Sequence, residues 1–369
     1  MADFFFYGTL CHLPLLEIVL GRPVAPQPAR LPDHAVFWAK GQPFPLIVEA
    51  PGQQADGLLL PGMSEEDVAR LDFYEGGFAY HTRDLPLSDG RLARVYFPDP
   101  GHWQPGAPWS LADWVATRGA VVTETAHDFM ALYGVKPAAE VLRRYPMMLM
   151  RGAARLRAKR PAPSALRRAA SAADVDLVAQ RQPYAHYFAV EEYDLRYRRF
   201  NGDWSDQATR AAFISGDAAT VLPYDPVRDR VLVVEQFRPG PYARGDANPW
   251  LLEAVAGRID PFETPEDCAR REAQEEAGVE LRDLLPVASY YPSPGAKAEF
   301  LYSYVALCDL PDDRPRHGGM EDEVEDIRAH IIPFEQLMQI VARPEGANAP
   351  LILSAMWLAA NRDRLRAQG

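Results

Sequence analysis

The chain has 369 residues, of which 39 are basic and 51 acidic, so its formal net charge is −12. This length predicts two or three domains, since one hydrophobic core seldom serves more than about 300 residues. The acidic balance argues against a binder of nucleic acid or of an anionic membrane surface. No apolar run approaches the roughly 20 residues that span a bilayer.

The N-terminal sequence lacks a basic segment and a cleavage site, which predicts that there is no signal peptide. Three widely spaced cysteines are typical of reduced thiols and not of a disulfide framework or a zinc site. They are Cys11, Cys268 and Cys308. These features together predict a cytoplasmic protein.

The first third of the chain alternates short apolar runs with turn signals. Strands are predicted at residues 4–7, 35–39, 57–60 and 94–97. A helix is predicted at residues 64–71, because Ser64 can cap it and acidic residues follow in its first turn. Residues 125–145 are also predicted to be helical.

Residues 151–173 contain seven basic residues and no acidic one. Pro161 and Pro163 disfavour a continuous helix there, so this stretch predicts a solvated linker or an exposed helix. Docking against an acidic partner surface is the alternative. Either interpretation places a seam between two halves of the chain.

After this seam, strands are predicted at residues 220–224, 230–237, 250–256, 289–291 and 299–306. A helix is predicted to begin at Thr264, which can cap it, with Pro265 at its first position. A closing helix is predicted at residues 349–360.

The most informative pattern runs from Gly257 to Glu263 and continues from Arg271 to Val279. Its three glutamates, Glu272, Glu275 and Glu276, fall within about 100° of arc on the predicted helix. Carboxylates so placed repel one another. A hard divalent cation such as Mg²⁺ or Mn²⁺ relieves that repulsion. A solvated acidic helix is the plainer interpretation.

Two further residues complete this expectation. Gly257 is expected to let the backbone turn sharply and to bring the Ala256 carbonyl toward the same cations. Arg271 is expected to pair with Glu263 and brace the loop before the helix.

The spacing matches the Nudix box at every defining position. Residues 222–229, 234–238, 250–257 and 321–326 resemble the ADP-ribose pyrophosphatase branch of that family. This resemblance covers roughly residues 185–366. It implies an α/β/α sandwich, a homodimer, and metal-dependent hydrolysis of ADP-ribose to AMP and ribose 5-phosphate. Two alternatives stay open: hydrolysis of another nucleoside-diphosphate sugar, and a degenerate protein that senses a nucleotide.

The Nudix resemblance also implies roles for individual residues. The metal ligands are the Ala256 carbonyl, Glu272, Glu276 and Glu325, and Glu275 joins or bridges them. The catalytic base is Glu323, on an acidic loop for which Gly318 and Gly319 supply a hinge.

The same resemblance suggests substrate contacts. Arg238, at a strand end, and Arg210, predicted on a helix, resemble phosphate clamps, because a guanidinium can bind phosphate through two hydrogen bonds. Tyr187, with Phe188, is a candidate for stacking on adenine in a segment that reaches the partner subunit. Glu299 is a candidate ribose contact. Arg210 as a surface arginine, and Tyr187 as a core residue, are the plainer interpretations.

The N-terminal third carries a second constellation. Tyr7, Gly8, Thr9 and Leu10 follow the first strand, and Glu75 lies in a predicted turn at residues 71–76, after the helix that begins near Ser64. With residues 57–60 they resemble the gamma-glutamylcyclotransferase-like family, a small mixed barrel, over roughly residues 3–110.

This second resemblance implies that the Tyr-Gly-Thr-Leu turn cradles the substrate. It also implies that Glu75 is the acid/base for attack of an amine on a gamma-carbonyl. Two hypotheses stay open: a second enzyme that releases pyroglutamate, and a non-catalytic binding or scaffold module. Chains that pair the two modules resemble the tellurite-resistance B type, which is a phenotype label.

The expected fold class is therefore mixed α+β. The expected divisions are a cyclotransferase-like domain at residues 1–115, a helical extension at 116–150, a basic linker at 151–180 and a Nudix domain at 181–369.

Overall fold

The computed structural model describes residues 1–76, 80–160, 164–312, 317–318 and 326–367. The chain divides into two compact units, residues 1–163 and residues 164–369. Within the described ranges, no helix combines the length and the apolar character needed to cross a membrane.

Six strands in the described part of the first unit form one sheet. They are β1 (Ala2–Phe6), β2 (Gln27–Ala39), β3 (Pro45–Met63), β4 (Tyr80–Pro86), β5 (Leu92–Pro98) and β6 (Pro105–Pro108), ordered β4-β5-β1-β3-β2-β6. The predicted strands are confirmed. Phe4 and Phe6 face one hydrophobic cluster while Phe5 and Tyr7 face another, which explains the unbroken aromatic run of β1.

Helices of the first unit pack against this sheet. They are α1 (Leu13–Leu20), α2 (Glu65–Glu75), α3 (Leu111–Trp114), α4 (Ala120–Met130), α5 (Ala138–Leu142) and α6 (Tyr145–Ala158). The predicted cap of α2 is confirmed: the Asp67 amide donates to Ser64 Oγ at 3.1 Å, and the Ser64 amide donates to Asp67 Oδ2 at 3.0 Å.

The helix predicted over residues 125–145 is interrupted. The helix α4 ends at Met130, and a turn through Gly134, whose φ is +73°, leads to Pro137 and α5. A left-handed glycine followed by a proline ends one helix and starts the next.

The predicted start of the basic linker at residue 151 is too early, because residues 151–158 belong to α6. Arg151, Gly152 and Ala153 are buried. A Cβ at Gly152 would lie 2.5 Å from Thr125 Oγ1. The small residues of this stretch, which predict a solvated linker, therefore let α6 pack closely against α4. Residues 175–180, also expected in the linker, lie in a strand of the second unit.

The second unit contains two sheets in its described residues. A three-stranded sheet is formed by β7 (Val175–Ala185), β8 (Ala189–Tyr197) and β9 (Ala208–Ile214). The larger sheet contains β10 (Ala218–Asp225), β11 (Arg230–Phe237), β12 (Trp250–Glu253), β13 (Val255–Arg258), β14 (Leu284–Tyr290), β15 (Leu301–Leu307), β16 (His317–Gly318) and β17 (Ile327–Pro333). Its order is β14-β15-β10-β11-β17-β16, with β12 on β11 and β13 on β10.

Helices cover both faces of the larger sheet. After α7 (Pro239–Arg244), these are α8 (Pro265–Ala277), α9 (Phe334–Val341) and α10 (Ala349–Arg366). In β11, Leu232 and Val234 pack with the apolar face of α8, whereas Val231 and Val233 pack with α9 and α10. This alternation builds the three-layer α/β/α sandwich, as expected.

Candidate functional sites

The helix α8 presents the acidic side chains of the second unit. Thr264 caps it by accepting a hydrogen bond from the Asp267 amide at 3.1 Å, and Pro265 occupies its first turn. Gly278, with φ +59°, ends it in the left-handed conformation that favours glycine. The start of the helix is therefore as the sequence predicts.

The role of Gly257 differs from the expected sharp turn, because this residue lies within β13. A Cβ at position 257 would lie 1.7 Å from Glu272 Oε1. The glycine is therefore required by the close approach of a carboxylate to the strand backbone. The same approach brings the Ala256 amide to donate a hydrogen bond to Glu276 Oε2 at 3.3 Å.

Arg271 lies at the centre of the acidic cluster. Its Nε donates to Glu263 Oε1 at 3.0 Å, and its Nη1 donates to Glu272 Oε1 at 2.7 Å and to Glu275 Oε2 at 2.9 Å. Burial opposes ionisation, yet hydrogen bonds to Glu263 and the charge of Glu272 raise the pKa of Arg271 above its ordinary value. The expected Arg271–Glu263 pair is present, and one arginine holds two more carboxylates.

The donor atoms of this cluster suit a divalent cation. Glu272, the deeply buried Glu276 and the Ala256 carbonyl offer oxygen atoms, which hard cations prefer. Within the described ranges, no group of three or more acidic, histidine or cysteine side chains assembles a metal site. Glu323 and Glu325, the expected base and further ligand, lie outside the described residues.

Arg238 lies directly after β11 and is held by an acidic side chain. Its Nε and Nη2 donate to Glu253 Oε2 at 2.9 and 2.6 Å. The other oxygen of Glu253 accepts from Asn348 Nδ2, at the start of α10, at 2.9 Å. The sequence predicts a role for Arg238 but not for Glu253, because a single acidic residue in a strand forms no recognisable motif.

Arg210 lies on the strand β9, so its predicted helical position is wrong. Its side chain is exposed and donates to the Thr209 carbonyl at 3.0 Å. Alanine-rich residues favour a helix locally, but pairing with β8, where Tyr193 is opposite Arg210, outweighs that preference.

Tyr187 and Phe188 form the turn between β7 and β8. The Arg258 guanidinium lies over both rings, 4.3 Å from the Tyr187 centroid and 4.6 Å from that of Phe188. The Tyr187 side chain remains 61% exposed, so it can accept a planar ligand. Because Arg258 follows Gly257, a cation–π contact joins this turn to the acidic cluster.

Glu299 lies just before β15. Its Oε2 accepts from Lys297 Nζ at 2.7 Å, and its Oε1 accepts from Ser215 Oγ at 3.4 Å. Its described contacts are therefore an ion pair and a weak hydrogen bond.

In the first unit, the Tyr-Gly-Thr-Leu turn leaves the end of β1. The Tyr7 hydroxyl donates to the Tyr96 carbonyl at 2.8 Å, and Leu10 is buried. A Cβ at Gly8 would lie 2.6 Å from Pro45 Cγ, so a side chain at position 8 would require the proline ring at the start of β3 to shift. Thr9 begins a short 3₁₀ turn.

Glu75 is the last residue of α2 and lies among phenol rings. Burial raises the pKa of Glu75 to about 7. Its charge in turn contributes to raising the pKa of five tyrosines, namely Tyr7, Tyr74, Tyr80, Tyr96 and Tyr145. A carboxyl group with this pKa can take up and release a proton near neutral pH.

Two family matches cover these sites. Residues 215–352 match the family described as NUDIX domain, and residues 4–116 match the family described as gamma-glutamyl cyclotransferase, AIG2-like. The two matches contain the acidic cluster of α8 and the Glu75 site respectively.

Named relatives cover the second unit. The chain is 40% identical over 193 residues to an ADP-ribose pyrophosphatase of Escherichia coli strain K12, a match that spans 52% of this chain and 91% of the relative. An ADP-ribose pyrophosphatase of Haemophilus influenzae is 32% identical over 195 residues, spanning 52% and 89%. A GDP-mannose pyrophosphatase of Pectobacterium atrosepticum is 33% identical over 167 residues, spanning 45% and 84%.

Proposed function

Because the chain belongs to the Nudix hydrolase family, we propose that its second unit hydrolyses the pyrophosphate bond of ADP-ribose to AMP and ribose 5-phosphate, with Mg²⁺ as cofactor. The observation that carries this proposal is the close packing of Glu272 and Glu276 against the backbone at Ala256 and Gly257. The 40% identity to an ADP-ribose pyrophosphatase supports this substrate over GDP-mannose, for which the identity is 33%.

The reaction requires water to attack an anionic phosphate. A bound divalent cation screens that charge and lowers the pKa of a coordinated water. Glu272, Glu276 and the Ala256 carbonyl would hold the cation. Glu275 lies beside them, because Arg271 Nη1 donates to both Glu272 and Glu275. Mn²⁺ suits the same oxygen donors.

Substrate binding is assigned to three described residues and a loop. The Arg238 guanidinium binds a phosphate, and Glu253 fixes its orientation. Tyr187 receives the adenine ring. Glu323, on the acidic loop, takes the proton from water, as the family resemblance implies.

A substrate panel tests this assignment. Full-length protein is incubated with Mg²⁺ and ADP-ribose, GDP-mannose or nucleoside triphosphates, and the products are separated by chromatography. We expect the highest kcat/KM with ADP-ribose, with AMP and ribose 5-phosphate in equal amounts. A higher kcat/KM with GDP-mannose would establish the alternative, a hydrolase of another nucleoside-diphosphate sugar.

We also propose that the protein is a homodimer through its second unit, with the Tyr187–Phe188 turn reaching the partner. Sedimentation equilibrium of the full chain tests this. A monomer at micromolar concentration would contradict it.

For the first unit we propose gamma-glutamyl cyclotransferase activity, because the family match covers Glu75, a partly buried acid whose pKa is raised to about 7. The alpha-amine of a gamma-glutamyl substrate attacks the gamma-carbonyl carbon, so a new C–N bond closes the pyroglutamate ring. Glu75 takes a proton from the attacking nitrogen and delivers one to the leaving amine as the original amide C–N bond breaks.

A panel of gamma-glutamyl amines and peptides tests this second activity. We expect pyroglutamate release by the full chain and its loss in Glu75→Gln. If no substrate in the panel releases pyroglutamate, the first unit is a binding or scaffold module.

A further inference from the structure

Arg238 is the outermost of three side chains that are joined by hydrogen bonds. Its Nε and Nη2 both donate to one oxygen of Glu253, Oε2, at 2.9 and 2.6 Å. The other oxygen of Glu253, Oε1, accepts from Asn348 Nδ2 at 2.9 Å. The Glu253 side chain is 9% exposed and that of Arg238 is 34% exposed. The series therefore runs from a buried carboxylate to a guanidinium that a ligand can reach.

Asn348 makes two contacts with different consequences. Its Oδ1 accepts from the Leu351 amide at 3.0 Å, which caps the start of α10. Its Nδ2 holds Glu253, which lies 95 positions earlier in the chain. Leu351 belongs to the same hydrophobic cluster as Val231 and Val233, so this end of α10 is packed on the sheet. Asn348 therefore joins a packed helix start to the carboxylate behind Arg238.

The oxygen that Asn348 occupies affects how Glu253 can hold Arg238. A carboxylate and a guanidinium often pair through two parallel hydrogen bonds, one to each carboxylate oxygen. Here both N–H groups of Arg238 share Oε2, while Oε1 is taken by the Asn348 amide. The contact with Asn348 therefore favours the arrangement through one oxygen over the pair through two.

We propose that Asn348 is a positioning residue for substrate binding. By holding Oε1 of Glu253, it fixes the plane of the Arg238 guanidinium and keeps that group directed at the pyrophosphate of the substrate. Without Asn348, Glu253 would engage Arg238 through both oxygens and draw it away from the phosphates. This proposal rests on the proposed pyrophosphatase function, because it takes Arg238 as a phosphate ligand.

The closing experiment separates the capping contact of Asn348 from its contact with Glu253. Serine at position 348 can cap α10 but is too short to reach Glu253, so full-length Asn348→Ser should unfold at nearly the wild-type urea concentration. Its Kd for inorganic pyrophosphate with Mg²⁺, measured by isothermal titration calorimetry, should rise by about 10-fold, because a hydrogen bond to a charged group is lost. KM for ADP-ribose should rise similarly, while kcat stays within about twofold.

Two more variants support this comparison. Asn361→Ser is the matched control, because Asn361 also lies on α10 and its Nδ2 donates to the Trp357 carbonyl at 2.9 Å within that helix. We expect it to keep the wild-type Kd and KM. Asn348→Asp keeps the capping oxygen, lacks the donor and places a like charge beside Glu253. It should raise the Kd at least as far as Asn348→Ser.

A double-mutant cycle with Glu253→Gln tests the route of the effect. If Asn348 acts through the carboxylate, Asn348→Ser should not raise the Kd further when Glu253 is already replaced. An equal rise in both backgrounds would overturn the proposal, and so would a wild-type Kd in folded Asn348→Ser and Asn348→Asp. Absence of pyrophosphate binding by the wild type would also overturn it. Binding of pyrophosphate without hydrolysis of ADP-ribose would remove the proposed function and leave the Kd comparison intact.

Discussion

The two sites of this chain treat partly buried carboxyl groups in opposite ways. On α8, Arg271 donates to Glu263, Glu272 and Glu275, so a fixed positive charge holds the acids together. At the end of α2, Glu75 lies among tyrosines, and burial raises its pKa to about 7. The first arrangement surrounds a cation with carboxylate oxygens and suits binding of cations, whereas the second suits transfer of a proton.

The largest effect should come from removing a carboxylate of the charged site. Glu276→Gln should lower kcat for ADP-ribose hydrolysis by at least about 100-fold. Mutation of a residue that only hydrogen-bonds to a metal ligand already lowers metal affinity or activity by about 10- to 100-fold. Steady-state kinetics measure this. Glu280→Gln, just beyond α8 and exposed, is the control and should retain wild-type activity. Equal activity in both variants would remove Glu276 from the site.

A backbone change tests the same site without altering its charge. Gly257→Ala places a methyl group where Glu272 lies, and should lower kcat by about 10- to 100-fold by displacing that carboxylate. Gly240→Ala, where a Cβ would meet nothing within 4 Å, is the control. Retained activity in folded Gly257→Ala would mean that the close approach is dispensable.

Neutralising the Glu75 side chain should increase the stability of the first unit. Glu75 binds its proton more tightly when folded, so its ionisation costs stability as pH rises from about 4.5 to about 7. Glu75→Gln should therefore stabilise the first unit by about 1–3 kcal/mol at pH 8 and by little at pH 4. Urea unfolding at the two pH values measures this.

Glu66→Gln, on the exposed face of α2, is the control for this measurement and should change stability by less than about 0.5 kcal/mol at either pH. A loss of stability in Glu75→Gln at pH 8 would show that the ionised carboxylate is satisfied in the folded state.

The smallest effect concerns the other end of α2. Arg22 donates to Asp67 through Nε and Nη2 at 2.9 and 2.8 Å, and this lowers the pKa of Asp67 to about 2. The stabilisation is present above about pH 4 and is lost as pH falls toward 2. Arg22→Ala should cost about 0.5–1 kcal/mol at pH 7, because the guanidinium is partly exposed.

For this pair, the matched measurement is urea unfolding at pH 7 and pH 2.5. A cost that stays the same at both pH values would assign the effect of Arg22 to packing and not to its charge. The result would show whether one helix holds a charged acid at its start and a neutral acid at its end.

Local patterns predict much of this molecule. The caps of α2 and α8, the aromatic strand β1 and the glutamate spacing on α8 are readable because each depends on residues a few positions apart. The three-layer second unit follows from the same alternation of apolar residues.

Long-range packing accounts for what the sequence does not predict. Arg210 lies in a strand because β8 pairs with it, and Gly257 is needed because a helix side chain approaches it. Arg151 is buried because Gly152 lets two helices meet. The Phe129 ring lies 5.5 Å from that of Tyr74, which is far away in the sequence. Such contacts join residues far apart in the chain, so no short-range sequence pattern predicts them.

The most direct test of the account is AMP release from ADP-ribose by full-length protein as Mg²⁺ is titrated. We predict saturable dependence on Mg²⁺, loss of AMP release with EDTA and recovery on adding excess metal. Glu276→Gln should show no comparable rate at any Mg²⁺ concentration, while Glu75→Gln should match wild type. AMP release that is independent of metal, or no AMP release by the wild type, would contradict the account.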